Sequence, residues 1–262
     1  MFNLESSLNV IFLFFISILI FLVGLIDDIK DLKPNLKLFL CSLIILIFLF
    51  YESNFLISNL KFSFMDRQVN LGLFSLFFTT FCIVVFINAL NMFDGINLQV
   101  ILYSSFIFIV NSFISKNYLE ILLFLPLIIT LIFLNYKNKL FLGDNGSLLL
   151  GFLISCIFIF NYNNSIISYA DTIFIFMMLP GIELIRLAVS RILKKKNPFS
   201  ADNNHIHHIL LRKFKYNTVI SINFVAILVP VVVNFYSPIS SLIIIIVFTI
   251  IYFLSIYLVS KD

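Results

Sequence analysis

Asp27, Asp28 and Asp31 crowd the run Gly24-Leu-Ile-Asp-Asp-Ile-Lys-Asp31, directly after an apolar segment. At the C-terminal, negative end of a helix, acids are disfavoured by about 0.3–1 kcal/mol each. Adjacent carboxylates also repel one another. A divalent cation reverses both penalties, and Mg²⁺ characteristically takes one or two carboxylates completed by phosphates and water. The plain alternative is a solvated helix end beside lysines. A second stretch reads Asn88-Ala-Leu-Asn91-Met-Phe-Asp94-Gly95-Ile-Asn97. Asn88 and Asn91 share a helical face, and Asp94-Gly95 makes a turn that can aim a carboxylate into a cleft. Alternatively the amides only cap and cross-link helix ends.

The third stretch, Phe141-Leu-Gly143-Asp144-Asn-Gly-Ser147, sets two glycines around an acid just before a helix. Backbone N–H groups at such a start favour phosphate oxygens. Asp144 can hold a metal or simply N-cap the helix. The fourth stretch runs from Asn197-Pro-Phe-Ser to His205-Ile-His207-His208 and contains the chain's three histidines. It follows Lys194-Lys195-Lys196 and precedes Arg212-Lys213. Imidazoles beside lysines suit a diphosphate. Histidine also suits zinc, but the neighbouring hard oxygen ligands favour Mg²⁺ or Mn²⁺. Arg191 joins the substrate-binding candidates, and Glu183 and Arg186, three apart, can pair.

What must position these residues is a membrane bundle. The chain is 61% hydrophobic and 11% charged, with a mean hydropathy of +1.12. Soluble domains carry about 25% charged residues, so lipid is the expected solvent. Nine segments meet the requirement of about 20 mostly apolar residues, or approach it. They span residues 8–26, 36–57, 71–93, 98–114, 119–134, 148–160, 172–189, 219–235 and 239–259. The first lacks the basic start and the cleavage site of a signal peptide and reads as a retained helix. The expected fold is all-α, a single polytopic transmembrane domain over residues 1–262. Cys41, Cys82 and Cys156 lie inside apolar runs and read as buried free thiols.

With nine spans, 14 of the 17 basic residues fall on one side and Lys61, Arg67 and Lys116 on the other. The basic side is the cytoplasmic one, which puts the N-terminus outside. All four polar stretches then land on the cytoplasmic face.

Taken in order, the four stretches resemble the polyprenyl-phosphate N-acetylhexosamine-1-phosphate transferase family over roughly residues 24–212. Asp31 and His-Ile-His-His resemble its GlcNAc-1-phosphate branch more than the peptidoglycan translocase. The resemblance implies transfer of a sugar-1-phosphate from a UDP-sugar to undecaprenyl phosphate, releasing UMP, with Mg²⁺ or Mn²⁺, at the bacterial inner membrane. By it, Asp27 and Asp28 bind or deprotonate the lipid phosphate near the metal, and Asp144 binds the metal. Asn88, Asn91 and Asp94 match nucleotide-sugar or metal positions, with Asp28 and Asp94 as further metal candidates. His205, His207 and His208 match the loop for the diphosphate. Members usually carry two more helices and a Pro/Gly-rich loop before the first motif, where this sequence has one helix. Asn97 stands where many members have Asp, Leu98-Gln99 replaces Gly-Leu, and Glu183 replaces Asp.

Membrane lipid is the expected environment; a homodimer is compatible with the sequence, and nothing in it points to nucleic acid. A transporter would need polar groups near the midplane. A non-catalytic homologue with an assembly role is the other alternative. A membrane prenyltransferase would need a second Asp-rich motif in place of the histidines.

Overall fold

The computed structural model describes residues 4–197 and 204–261. Eleven α-helices and one two-stranded hairpin appear there. In order they are α1 (Leu4–Lys30), α2 (Pro34–Tyr51), β1 (Asn59–Leu60), β2 (Val69–Asn70), α3 (Ser75–Phe93), α4 (Gln99–Ser115) and α5 (Tyr118–Tyr136). There follow α6 (Gly143–Asn163), α7 (Ala170–Phe176), α8 (Met178–Leu193), α9 (Ile206–Leu211), α10 (Tyr216–Tyr236) and α11 (Ser241–Lys261). The chain is a polytopic helical membrane protein, since with no water in hydrocarbon the backbone must satisfy itself.

Each of the nine apolar segments contains helix, but not every one is a full span. Six helices are long and apolar enough to cross a membrane: α1, α2, α3, α6, α10 and α11. The expected seventh span is broken at Met177, where α7 and α8 meet at an 80° bend. The fully buried Tyr103 of α4 donates its hydroxyl proton to the Phe176 carbonyl at that break, 3.1 Å away. It thereby satisfies an acceptor that an unbroken helix would have paired. Among the described residues α4, at 17 residues, is apolar but shorter than those six. The sixth helix starts at Gly143 instead of residue 148, which draws Asp144 into its first turn.

Local rules explain much of this. Pro34 opens α2, where its missing N–H costs nothing. Ser17, Thr79 and Ser155 return their hydroxyls to the carbonyl four residues earlier and leave no donor facing hydrocarbon. α3 and α6 form the spine, and two buried clusters share them. One packs α1 and α2 against them through Ile16, Ile20, Ile45, Phe48, Ile87 and Phe152. The other joins them to α4 and α7–α11 through Phe93, Tyr103, Ile154, Phe176 and Val231. α1 lies so close to α6 that a Cβ at Gly24 would sit 2.4 Å from the Asn145 Cα.

The two ends of the bundle differ. One carries the β1–β2 hairpin, tied to α6 by the Lys61 N–H on the Tyr162 hydroxyl (2.7 Å) and to α7 by the Ala170 N–H on the Lys61 carbonyl (2.8 Å). The carboxylate and histidine stretches collect at the other end. Between α3, α6, α7 and α8 runs an apolar groove of about 520 Å³, walled by Phe78, Phe81, Phe86, Phe158, Ile173 and Ile185. It extends from the hairpin to Ala89 and Gly181.

Candidate active site

A lysine stands at the centre. Lys37, one turn into α2, extends its ammonium between Asp27 at the end of α1, Asn91 at the end of α3 and Asp144 at the start of α6. The contacts are 2.7 Å to Asp27 Oδ2, 3.3 Å to Asn91 Oδ1 and a short ion pair to Asp144 Oδ2. Only 14% of the Lys37 side chain is exposed. A cation this near hydrocarbon is costly unless paired, and three oxygens from three helices pair it. Asn91 also donates to Ser147 Oγ at 2.9 Å, and Asp27 Oδ1 accepts the Leu32 N–H at 2.7 Å.

Asp28 has a different task. Its two oxygens accept the backbone N–H groups of Asp144 (2.9 Å) and Asn145 (3.2 Å). The open start of α6 is therefore capped by α1's carboxylate, and Asp144 keeps its own side chain for Lys37. The approach needs Gly143, whose φ of +66° and missing Cβ leave room for Asp28 Oδ2, 2.7 Å from where a Cβ would be.

Asp94 follows α3 in a half-buried turn. Burial, with Asp144 and Asp28 nearby, pushes its carboxyl up to about 7. His207 packs against the next residue: a Cβ on Gly95 would lie 1.8 Å from His207 Nε2. Burial, with His205 and His208 beside it, pushes the His207 imidazole down to about 3. Its ring lies 4.4 Å from that of His208 and 5.2 Å from that of His205. Among the described residues neither His207 ring nitrogen has a hydrogen-bond partner.

Asp27, Asp28, Asn91, Asp94, Asp144 and His207 thus meet at one end of the bundle. Asn97 turns aside: its amide donates to Asn138 Oδ1 at 2.6 Å and its carbonyl accepts from Tyr216 Oη at 2.7 Å. Asn88 contacts Met92 Sδ at 3.5 Å, inside α3. Arg191 is buried near the end of α8 at 3% exposure. Residues 198–203 of the histidine stretch, Asp202 among them, lie outside the described residues. Glu183 and Arg186 do pair, at 2.9 Å.

Sequence reasoning treated Lys37 only as a marker of sidedness. A lysine inside an apolar helix demands a partner, and that signal was available. Asn135 had none. Its buried side chain accepts the Leu98 N–H at 2.5 Å and donates to the Leu140 carbonyl at 2.8 Å, bracing both loops.

The cradle around Lys37 is an all-oxygen site already holding a positive charge, the donor chemistry that Mg²⁺ and Mn²⁺ prefer. Among the described residues no three carboxylate, imidazole or thiol groups converge to hold a metal alone. The residues therefore fit a cation held by one or two carboxylates and completed by substrate phosphates.

Known proteins resemble this chain along much of its length. The family model for glycosyl transferase family 4 matches residues 10–161. The undecaprenyl-phosphate alpha-N-acetylglucosaminyl 1-phosphate transferase of Thermotoga maritima is 31% identical over 216 residues, covering 81% of this chain and 65% of its own. That of Escherichia coli K12 is 28% identical over 204 residues, covering 72% and 55%. The chain spans about half to two thirds the length of these relatives. The matched stretch runs from α1 through α6 and holds Lys37 with its three oxygen partners, so the match falls on the helices that build the site: the chain belongs to glycosyl transferase family 4.

Proposed function

We propose that the protein transfers N-acetylglucosamine-1-phosphate from its UDP-sugar to undecaprenyl phosphate and releases UMP. The carrying observation is the Lys37 cradle, where Asp27, Asn91 and Asp144 enclose a cation beside Asp28 and Asp94. On this reading the end of the bundle that gathers most lysines and arginines faces the cytoplasm, and the membrane is the bacterial inner one.

The geometry supports the two substrates separately. The apolar groove reaches Ala89, so a prenyl chain lying in it would run toward the end of α3 that carries Asn91 and the Lys37 cradle. The histidines approach from the loop side, with His205 and His208 partly exposed and His207 buried against Gly95. In the reaction an oxygen of the lipid phosphate attacks the β-phosphorus of the UDP-sugar in line. A new P–O bond forms, the bond from that phosphorus to the bridging oxygen breaks, and UMP leaves with the bridging oxygen. Lys37 offsets the charge of the approaching phosphate. Asp27 and Asp144 hold Lys37 and supply carboxylates for Mg²⁺ or Mn²⁺, with Asp94 beside them. Such an ion, when bound, offsets the diphosphate charge. His207 and its neighbours orient the diphosphate.

The test is UMP release by the purified protein in detergent with Mg²⁺ and a panel of UDP-N-acetylhexosamines. Release with UDP-GlcNAc that depends on added undecaprenyl phosphate supports the reading. No release with any donor overturns it. A phosphosugar trapped on the protein without lipid would replace the in-line step by a two-step path.

A further inference from the structure

Outside the carboxylate cradle, one buried polar cluster has no part in the reaction above. Glu183 of α8 is 2% exposed, and its carboxylate is fully engaged. Oε1 accepts the backbone N–H of Ile206 at 2.7 Å and Arg186 Nη2 at 2.9 Å. Oε2 accepts Arg186 Nε at 2.9 Å and the hydroxyl of Tyr252 in a short contact. Arg186 also donates to Tyr252 Oη at 2.9 Å and to the Asn204 carbonyl at 2.5 Å. The ion pair therefore grips the chain on both sides of His205: the carbonyl before it and the N–H after it.

We propose that Glu183, Arg186 and Tyr252 form a buried clamp that sets the position of the histidine loop, making α11 a working part of the donor site. This deepens the transferase reading and rests on it.

Three observations carry the proposal. First, α11 exposes much of its surface and buries little beyond Ser241, Ile244 and Tyr252. Ile251 and Phe253 are half exposed, while Tyr252 between them is 7% exposed and turns its hydroxyl inward. Second, a buried carboxylate and guanidinium must satisfy nearly all their hydrogen-bonding capacity. Here two of those bonds are spent on loop backbone, so the loop cannot move without leaving buried charge short of a partner. Third, the gripped backbone leads straight into α9, whose first turn sets His207 against Gly95, the residue after Asp94. The clamp thus holds the chain on both sides of His205, and Gly95 meets the loop at His207. Tyr252, Glu183 and Arg186 are positioning residues on this reading; none need touch substrate.

Tyr252→Phe removes one hydroxyl and keeps the ring. Hydrogen exchange of the amides of Ile206–Leu211 in the purified full chain should speed up about tenfold, the effect expected for losing one bond to a buried charged group. Amides of α1, α3 and α6 should keep their rates, which a general loss of stability would not allow. With UDP-GlcNAc as donor, KM for the donor should rise about tenfold while KM for undecaprenyl phosphate and kcat change little. Glu183→Asp, whose shorter carboxylate loses reach to the Ile206 N–H and to Arg186 as well as to Tyr252, should speed α9 exchange more than Tyr252→Phe. Unchanged exchange in α9, or equal loosening everywhere, overturns the clamp. Faster α9 exchange in a protein whose wild type turns over no donor supports the clamp and refutes the transferase reading instead.

Discussion

Asp27, Asp28, Asp94 and Asp144 are chemically alike in the sequence and unlike in their settings. Asp28 is spent on the start of α6, Asp27 and Asp144 on Lys37, and Asp94 stands in a turn without a cationic partner in the described contacts. Asp144→Asn keeps the size and one hydrogen bond but loses the charge. Turnover should fall at least about 100-fold, the scale of losing a group that stabilises charge in the transition state, with a circular dichroism spectrum like that of wild type; unchanged turnover would remove Asp144 from the site. Lys37→Met leaves two carboxylates facing each other. It should cost about 1–3 kcal/mol in metal-free buffer, and Mg²⁺ should restore part of the lost Tm because it can take the ammonium's place. Asp94 supplies the pH dependence. Its carboxyl is raised to about 7, so it is neutral below that pH and a metal must displace its proton. Mn²⁺ affinity, read by electron paramagnetic resonance, should fall about tenfold per pH unit below 7. That slope should flatten in Asp94→Asn.

At the scale of elements, the site is made by helix ends meeting, and small residues decide how near they come. Gly95→Ala would put a methyl into the buried His207 ring; His207 must leave its packed position, so donor KM should rise and thermal stability should fall. Gly24→Ala meets α6 backbone instead, so α1 must shift, at a cost of about 1–3 kcal/mol in thermal unfolding. The fold also holds His207 neutral, with a folded pKa near 3 against an ordinary value of 6.5. A lowered folded pKa means stability that is present above 6.5 and lost as pH falls toward 3. By pH 5 the loss is about 2 kcal/mol, visible as faster exchange in α9. These contacts explain what the sequence could and could not say. The carboxylate pair, the Asp-Gly turn and the histidine triplet were legible because charged residues in an apolar chain need a reason. The approach of Gly24 to Asn145 and of Gly95 to His207 was not, since no local pattern encodes a neighbour about 120 residues away. Leu98 is a partial case. Its φ of +70° explains why glycine is usual there in the family it resembles, yet the turn is held here by Asn135.

Across the whole molecule, hydropathy and the lysine and arginine count were enough to put the four stretches at one end of the bundle. They did not reveal that the seventh segment breaks at Met177, because composition measures apolarity and not direction. The break has a structural consequence. By turning α8 80° from α7, it opens the wall of the apolar groove and brings Glu183 and Arg186 to the histidine loop. On the proposed reaction, a lipid-borne phosphate and a soluble diphosphate would be held at the same end of the bundle. The chemistry proposed there makes the β-phosphorus, and not the sugar carbon, the centre that changes partners. UDP-GlcNAc labelled with ³²P at the β-phosphorus, incubated with the purified protein, Mg²⁺ and undecaprenyl phosphate, tests this directly. The label should pass into the organic phase with the lipid, and label placed at the α-phosphorus should appear in UMP. β-Label that stays in the aqueous phase as UDP while sugar reaches the lipid would contradict the account, as would no transfer at all.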